Sequence, residues 1–134
     1  VLMFQKEVAD RIISEFNNSK YGRLSILSSW KLNVKKIIDL KPQSFSPRPK
    51  VDSSLLLFTP KKKFFKLKDP KNLEKITRIF FSQRRKMLKK PFNQVFANGK
   101  QIAEKFGIDL NLRPQNLEPE TYFKLVKEYE DLRG

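Results

Sequence analysis

The chain has 134 residues, enough for one domain or two small pieces, and its 29 Lys and Arg against 14 Asp and Glu give a net charge of +15. It has no Cys and no His, which excludes disulfides, thiolate nucleophiles, Cys- or His-ligated metals and any Ser-His-Asp or Cys-His pair. Hydrophobic residues make up 39%, with 12 Phe, so a core is expected rather than wholesale disorder, and no apolar run approaches the ~20 residues of a membrane span.

Val1 to Phe4 reads as the end of a buried strand. Its flanks lack the basic start and long apolar stretch of a secretory signal. Val1 in place of Met is what a piece of a longer chain would show. From Lys6 to Phe16, Val8, Ala9, Ile12, Ile13 and Phe16 form the stripe of an amphipathic helix, which Asn17-Asn18-Ser19 breaks. Arg23 to Leu32 is predicted as a second helix that buries Leu24, Leu27 and Trp30. Val34 to Leu40 reads as a strand. Pro42, Pro47 and Pro49 exclude a helix from Lys41 to Lys50 and predict an extended loop. Ser53 to Phe58 is a second, mostly buried strand. Strands separated by helical segments suggest part of an α/β sheet.

Pro60 to Pro70 reads as a basic linker, PKKKFFKLKDP. Asp69 is placed to cap a helix with Pro70 at its first position. That helix is expected to run to about Lys90, where Pro91 follows, with Leu73, Ile76, Ile79, Phe80, Met87 and Leu88 on one broad face. Asn98-Gly99 opens a shorter helix with Ile102, Ala103 and Phe106 inward, stopped at Gly107. Leu110 to Leu117 is a loop. Glu118-Pro119 starts a last helix with Tyr122, Leu125, Val126 and Tyr129 on one side. Residues 70–134 thus read as a small helical domain, 61–69 as a linker, and 1–60 as the α/β part.

The charge is concentrated. Residues 61–90 hold 13 basic and 2 acidic side chains, whereas residues 91–134 hold 6 and 7. Such a block repels itself and calls for a polyanion. Nucleic acid is the first reading, with an anionic membrane surface or plain solubility as alternatives.

Two motifs stand out. In FSPRPKVDS (45–53) the prolines pre-set the backbone, so that Phe45, flanked by Pro47 and Pro49, either offers a stacking face to a displaced base or packs on the core. In Gln83-Arg84-Arg85-Lys86, with Lys89 and Lys90, Arg84 falls inside the apolar arc at about 20° from Leu73 on a helical wheel. It is therefore as much a buried ion-pair partner as a nucleic-acid contact. Arg85 and Lys86 lie off the arc and suit phosphate. Glu7 and Arg11 are spaced to pair across one helical turn. With Gly only at 22, 99, 107 and 134, no Gly-rich cofactor loop can be built, and no carboxylate pair stands out for acid–base work.

QKEVADRI (5–12), KYGRLSIL (20–27), FSPRPKVDSSLL (45–56), FFSQRRKML (80–88) and FGIDLNLRPQNLEPETYFKLV (106–126) together resemble the small-subunit rRNA adenine dimethyltransferases. The antibiotic-resistance rRNA methyltransferases and mitochondrial transcription-factor relatives are similar in the first half. The resemblance implies the last strands and helices of a Rossmann-like methyltransferase core followed by a C-terminal helical domain. It implies a cytoplasmic enzyme of about twice this length, acting on two adjacent adenines near the 3′ end of small-subunit rRNA during ribosome assembly. S-adenosylmethionine would be held by an N-terminal half, and no metal or membrane is implied. Phe45, supported by Pro47 and Pro49, would stack on the target adenine. Arg84, Arg85, Lys86, Lys89, Lys90 and Lys50 would dock on the RNA of the small ribosomal subunit. The competing expectation is a non-catalytic RNA-binding or ribosome-assembly module.

Overall fold

A computed structural model of the chain describes residues 1–44 and 51–133. Three strands form one antiparallel sheet: β1 (Leu2–Gln5), β2 (Leu32–Leu40) and β3 (Ser53–Pro60). The order is β1-β3-β2, so the last strand in sequence is the central one. Leu56, on that central strand, lies opposite Leu2 on one side and Lys36 on the other, and it is fully buried. A register shift interrupts the β2–β3 ladder between Lys36 and Ile38. Helix α1 (Lys6–Ile13) lays Ala9 and Ile12 on Leu56, with Phe4, Val8, Ile13, Val34 and Phe58 around them.

The larger core is helical. It joins α2 (Arg23–Lys31), α3 (Pro70–Phe81), α4 (Lys89–Val95), α5 (Gly99–Lys105) and α6 (Pro119–Arg133). Tyr21, Ile26 and Trp30 from the first third of the chain pack in the same cluster as Phe80, Phe92 and Tyr122, so its packing crosses residue 60. The Phe80 ring meets Phe92 and Tyr122 edge-on at 5.4 and 5.5 Å, the geometry that aromatic quadrupoles favour. The buried hydroxyls are satisfied. Tyr21 donates to the Leu117 carbonyl at 2.7 Å and Tyr122 to the Pro114 carbonyl at 2.6 Å. Burial pushes both phenols above their ordinary range.

Several expectations are corrected. Helix α1 stops at Ile13, leaving Phe16 exposed and Asn17 in a left-handed conformation with φ of 72°. Leu24 is exposed, and α2 instead buries Ser25, Ile26 and Trp30. The strand spans Leu2–Gln5 rather than Val1 to Phe4, and Val1, Leu2 and Met3 are exposed; β1 is an edge strand among the described residues. The expected helix to Lys90 ends at Phe81. Its start does follow the sequence signal: Pro70 opens it and the Asp69 carboxylate accepts from the Lys71 amide at 2.9 Å. Pro91 sits in the first turn of α4, where a missing N–H costs nothing. Pro42 to Ser44 makes a short 3-10 turn, as do Pro114 to Asn116 within the expected loop.

Candidate nucleic-acid interface

After α3 the chain makes tight turns instead of continuing as a helix. Ser82 Oγ donates back to the Ile79 carbonyl, and the Lys86 amide donates to the Gln83 carbonyl at 3.0 Å. Leu88 is fully buried and its amide donates to the Leu112 carbonyl at 2.8 Å, while the Lys89 amide reaches Leu110. One buried leucine and two backbone bonds thus anchor the 82–88 connection. Arg85 and Lys86 are exposed on it, and Lys89 and Lys90 are exposed at the start of α4. Met87, expected in the core, is 54% exposed between them. Lys86, Met87, Lys89, Lys90 and Asn93 border a shallow cavity of about 350 Å³.

No described ion pair engages the charge on this turn. The ion pairs among the described residues join Lys6 and Lys20 to Asp10, Arg11 to Glu7, Lys36 to Asp39, Lys105 to Glu128 and Lys127 to Asp131. None involves residues 84–90. Exposed cations on an anchored connection, none of them engaged in a described ion pair, suit a phosphate backbone.

Arg84 stands apart from its neighbours. It is half-buried, and the buried ion pair considered for it is not made. Its Nη2 donates to the Ser19 carbonyl at 3.0 Å, and its guanidinium lies over the Phe81 ring at 5.5 Å. A Cβ on Gly22 would come within 3.1 Å of Arg84 Nη1, so a glycine lets the guanidinium close on the backbone there. Arg84 therefore pins the 19–22 segment to the end of α3.

Beside it runs a groove of about 650 Å³, with Arg11, Lys20, Arg23, Arg84 and Glu74 on its walls and Leu24 and Leu27 among its apolar lining. Arg23 is held in place by bonds to Thr77 Oγ1 and the Glu74 carbonyl. Lys20, Arg23 and this groove were not singled out from the sequence, because the three segments that build it are distant in the chain. The glycine in KYGRLSIL was the one signal of a close approach.

Phe45, Pro47, Pro49 and Lys50 lie outside the described residues. The 650 Å³ groove is a poor fit for S-adenosylmethionine: four cationic side chains line it against the single carboxylate of Glu74, a balance that disfavours a sulfonium, and the close approach at Gly22 is taken up by Arg84. Among the described residues no cluster of acidic side chains is arranged to hold a metal, and no helix is long and apolar enough to cross a membrane.

Comparison with known proteins gives a consistent picture. The family described as ribosomal RNA adenine dimethylase matches residues 1–131. A ribosomal RNA small subunit methyltransferase A from Pelagibacter ubique is 92% identical over all of this chain, which spans 51% of that relative. The protein of the same name from Ehrlichia ruminantium is 47% identical over 87% of the chain and 44% of its own length. The chain thus spans about half the length of the curated relatives it matches. Among solved structures, a dimethyladenosine transferase from Plasmodium falciparum superposes over 97% of the chain and 57% of its own, with TM-score 0.77 and 28% identity. The 23S rRNA methyltransferase ErmE shares the fold, with TM-score 0.60 at 16% identity over 96% of this chain and 53% of its own.

Proposed function

This chain belongs to the ribosomal RNA adenine dimethylase family, and we propose that it is the RNA-gripping portion of an enzyme that methylates two adjacent adenines near the 3′ end of small-subunit rRNA. The methyl donor in this reading is S-adenosylmethionine, held by the part of the protein that the longer relatives have and this chain does not span. Residues 1–60 are proposed as the closing strands of a larger methyltransferase sheet, 61–69 as a linker and 70–134 as the helical rRNA-binding part. The exposed apolar residues of β1 and of β2 (Leu2, Met3, Ile37, Ile38) support a sheet that continues beyond them. The resemblance alone supports Phe45 as the ring that stacks on the target base, framed by Pro47 and Pro49, and Lys50 as a phosphate contact.

The observation that carries the RNA-docking reading is the stretch from the 82–88 connection into the start of α4, where Arg85, Lys86, Lys89 and Lys90 are exposed and enter none of the described ion pairs. Arg84 contributes through the backbone it braces.

Arg85→Glu with Lys86→Glu in the full-length protein should weaken binding to small ribosomal subunits. It should also flatten the dependence of log affinity on log salt by about one unit per lost phosphate contact. Equal affinity and slope would remove the turn from the interface. Phe45→Ala should lower turnover more than subunit binding, and unchanged turnover would end its assignment. Methyl incorporation into small subunits by the full-length protein decides between the enzyme and a non-catalytic assembly module.

A further inference from the structure

The 61–68 segment carries five lysines and no acid, yet it is not a bare tether. The Lys61 amide donates to the Lys31 carbonyl at 2.8 Å, and Lys61 Nζ reaches the Ser29 carbonyl. Trp30 Nε1 donates to the Phe65 carbonyl. Phe65 packs inward against Phe123 at 6.3 Å. The segment is thereby fixed across the end of α2 and the start of α6, and Phe64 points the other way. Its ring stands edge-on to Trp30 at 6.2 Å and remains 40% exposed. Lys31 Nζ lies 4.6 Å from the Trp30 ring and 4.9 Å from that of Phe64.

Beside these rings opens a cavity of about 470 Å³ lined by Lys61, Lys63, Phe64, Phe123, Glu118 and Glu120 among others. None of the described ion pairs uses a lysine of this segment. A ring that merely covered Trp30 would need neither the open cavity nor the two lysines, Lys61 and Lys63, on its wall. An aromatic face, cations for a backbone and carboxylates that accept from an exocyclic amine are what an unpaired nucleotide requires.

We propose that Phe64, Lys61, Lys63, Glu118 and Glu120 form a second RNA-binding site, separate from the 84–90 turn, which takes one unpaired, amine-bearing base of a single-stranded segment. The base stacks on Phe64 and presents its amino edge to Glu118 or Glu120, while Lys61–Lys63 neutralise the flanking phosphates. The proposal rests on the RNA-binding reading for its partner class and on this cavity for its chemistry.

The test measures binding of the full-length protein to single-stranded oligo(A) and oligo(U) RNA. Phe64→Ala should weaken oligo(A) binding roughly fivefold to a hundredfold, as loss of one stacked base does, and Phe64→Tyr should retain it. Glu118→Gln with Glu120→Gln should erase the preference for oligo(A) over oligo(U). Unchanged oligo(A) affinity in Phe64→Ala overturns the site, whatever Arg85→Glu with Lys86→Glu does. If that double variant leaves binding intact while Phe64→Ala weakens it, the turn reading fails and this site stands. Should Phe64→Ala unfold the protein, Phe64→Leu keeps the apolar cover but not the stacking face, and full affinity in Phe64→Leu overturns the proposal. Phe64-dependent binding to phosphatidylglycerol vesicles with no effect on RNA overturns it as well.

Discussion

The two hydrophobic clusters of this chain differ in completeness. The helical one closes on itself: Phe80, Phe92, Tyr122, Leu125 and Val126 are fully buried, and the hydroxyls of Tyr21 and Tyr122 find carbonyls. The sheet cluster has three buried residues, Ala9, Ile12 and Leu56, beneath strands whose outer residues Leu2, Met3, Ile37 and Ile38 are about half exposed. A closed core tolerates a dense cationic surface because its stability does not depend on what binds outside. An open sheet has unsatisfied apolar area and an unpaired edge, and its stability depends on what covers it.

The contrast is sharpest for a core truncation. Phe80→Ala removes a ring that touches Phe92 and Tyr122, and should cost about 3–5 kcal/mol, read as a lower denaturant midpoint. A loss below about 1 kcal/mol would mean that the helical cluster is as loose as the sheet.

A smaller effect is expected where the linker meets that core. The buried Glu130 carboxylate accepts from the amides of Lys68 and Asp69 at 2.9 and 3.0 Å, and from Asn72 Nδ2 at 2.7 Å. Burial raises its pKa, but these bonds outweigh it and the net shift is below the ordinary 4.5. A depressed folded-state pKa contributes stability that is present above the unfolded value and lost as pH falls through the folded one. Glu130→Gln should therefore cost about 1–3 kcal/mol at pH 7. Its deficit against the parent should shrink as pH drops below 4.5. A deficit that is constant with pH would assign the loss to packing rather than to charge.

Much of this could be read from the sequence wherever the signal is local. Asp69-Pro70 marks the start of α3. Gly107, with φ of 67°, ends α5 as its backbone freedom predicts. The helical stripe of α6 buries Tyr122, Leu125, Val126 and Tyr129 as the spacing requires. What could not be read depends on distant contacts. Met87 and Leu88 continue the periodicity of α3, so nothing local announces the break after Phe81. The break is set by Leu88 and Lys89 bonding to Leu112 and Leu110, more than twenty residues away. Arg84 is ambiguous on a wheel because its partners, the Ser19 carbonyl and Phe81, are defined only once α2 packs on α3. In the same way, an apolar strand shows that it has a face to bury without showing whether the burying surface lies within these residues. Five basic residues on one segment announce a polyanion, but which of them is a brace and which a contact is decided by the turn.

The smallest expected effect tests the open side of the comparison directly. Leu2 and Ile38 are 57% and 49% exposed, so Leu2→Thr with Ile38→Thr should change the stability of the 134-residue chain by less than about 0.5 kcal/mol per site, as exposed substitutions do. In the full-length protein the same pair should behave differently if the sheet continues past β1 and its faces are covered. Each threonine then places a hydroxyl in a dry site and removes buried methyl groups, which costs about 1–3 kcal/mol per position. The measurement is the difference between the two denaturant midpoints, taken in both contexts. An equal, small effect in both would mean that these strands face water in the complete protein as well, and that the proposed continuation of the sheet is wrong. A large effect confined to the longer protein would place the cover of β1 and β2 in the part of the relatives' length that these residues do not span.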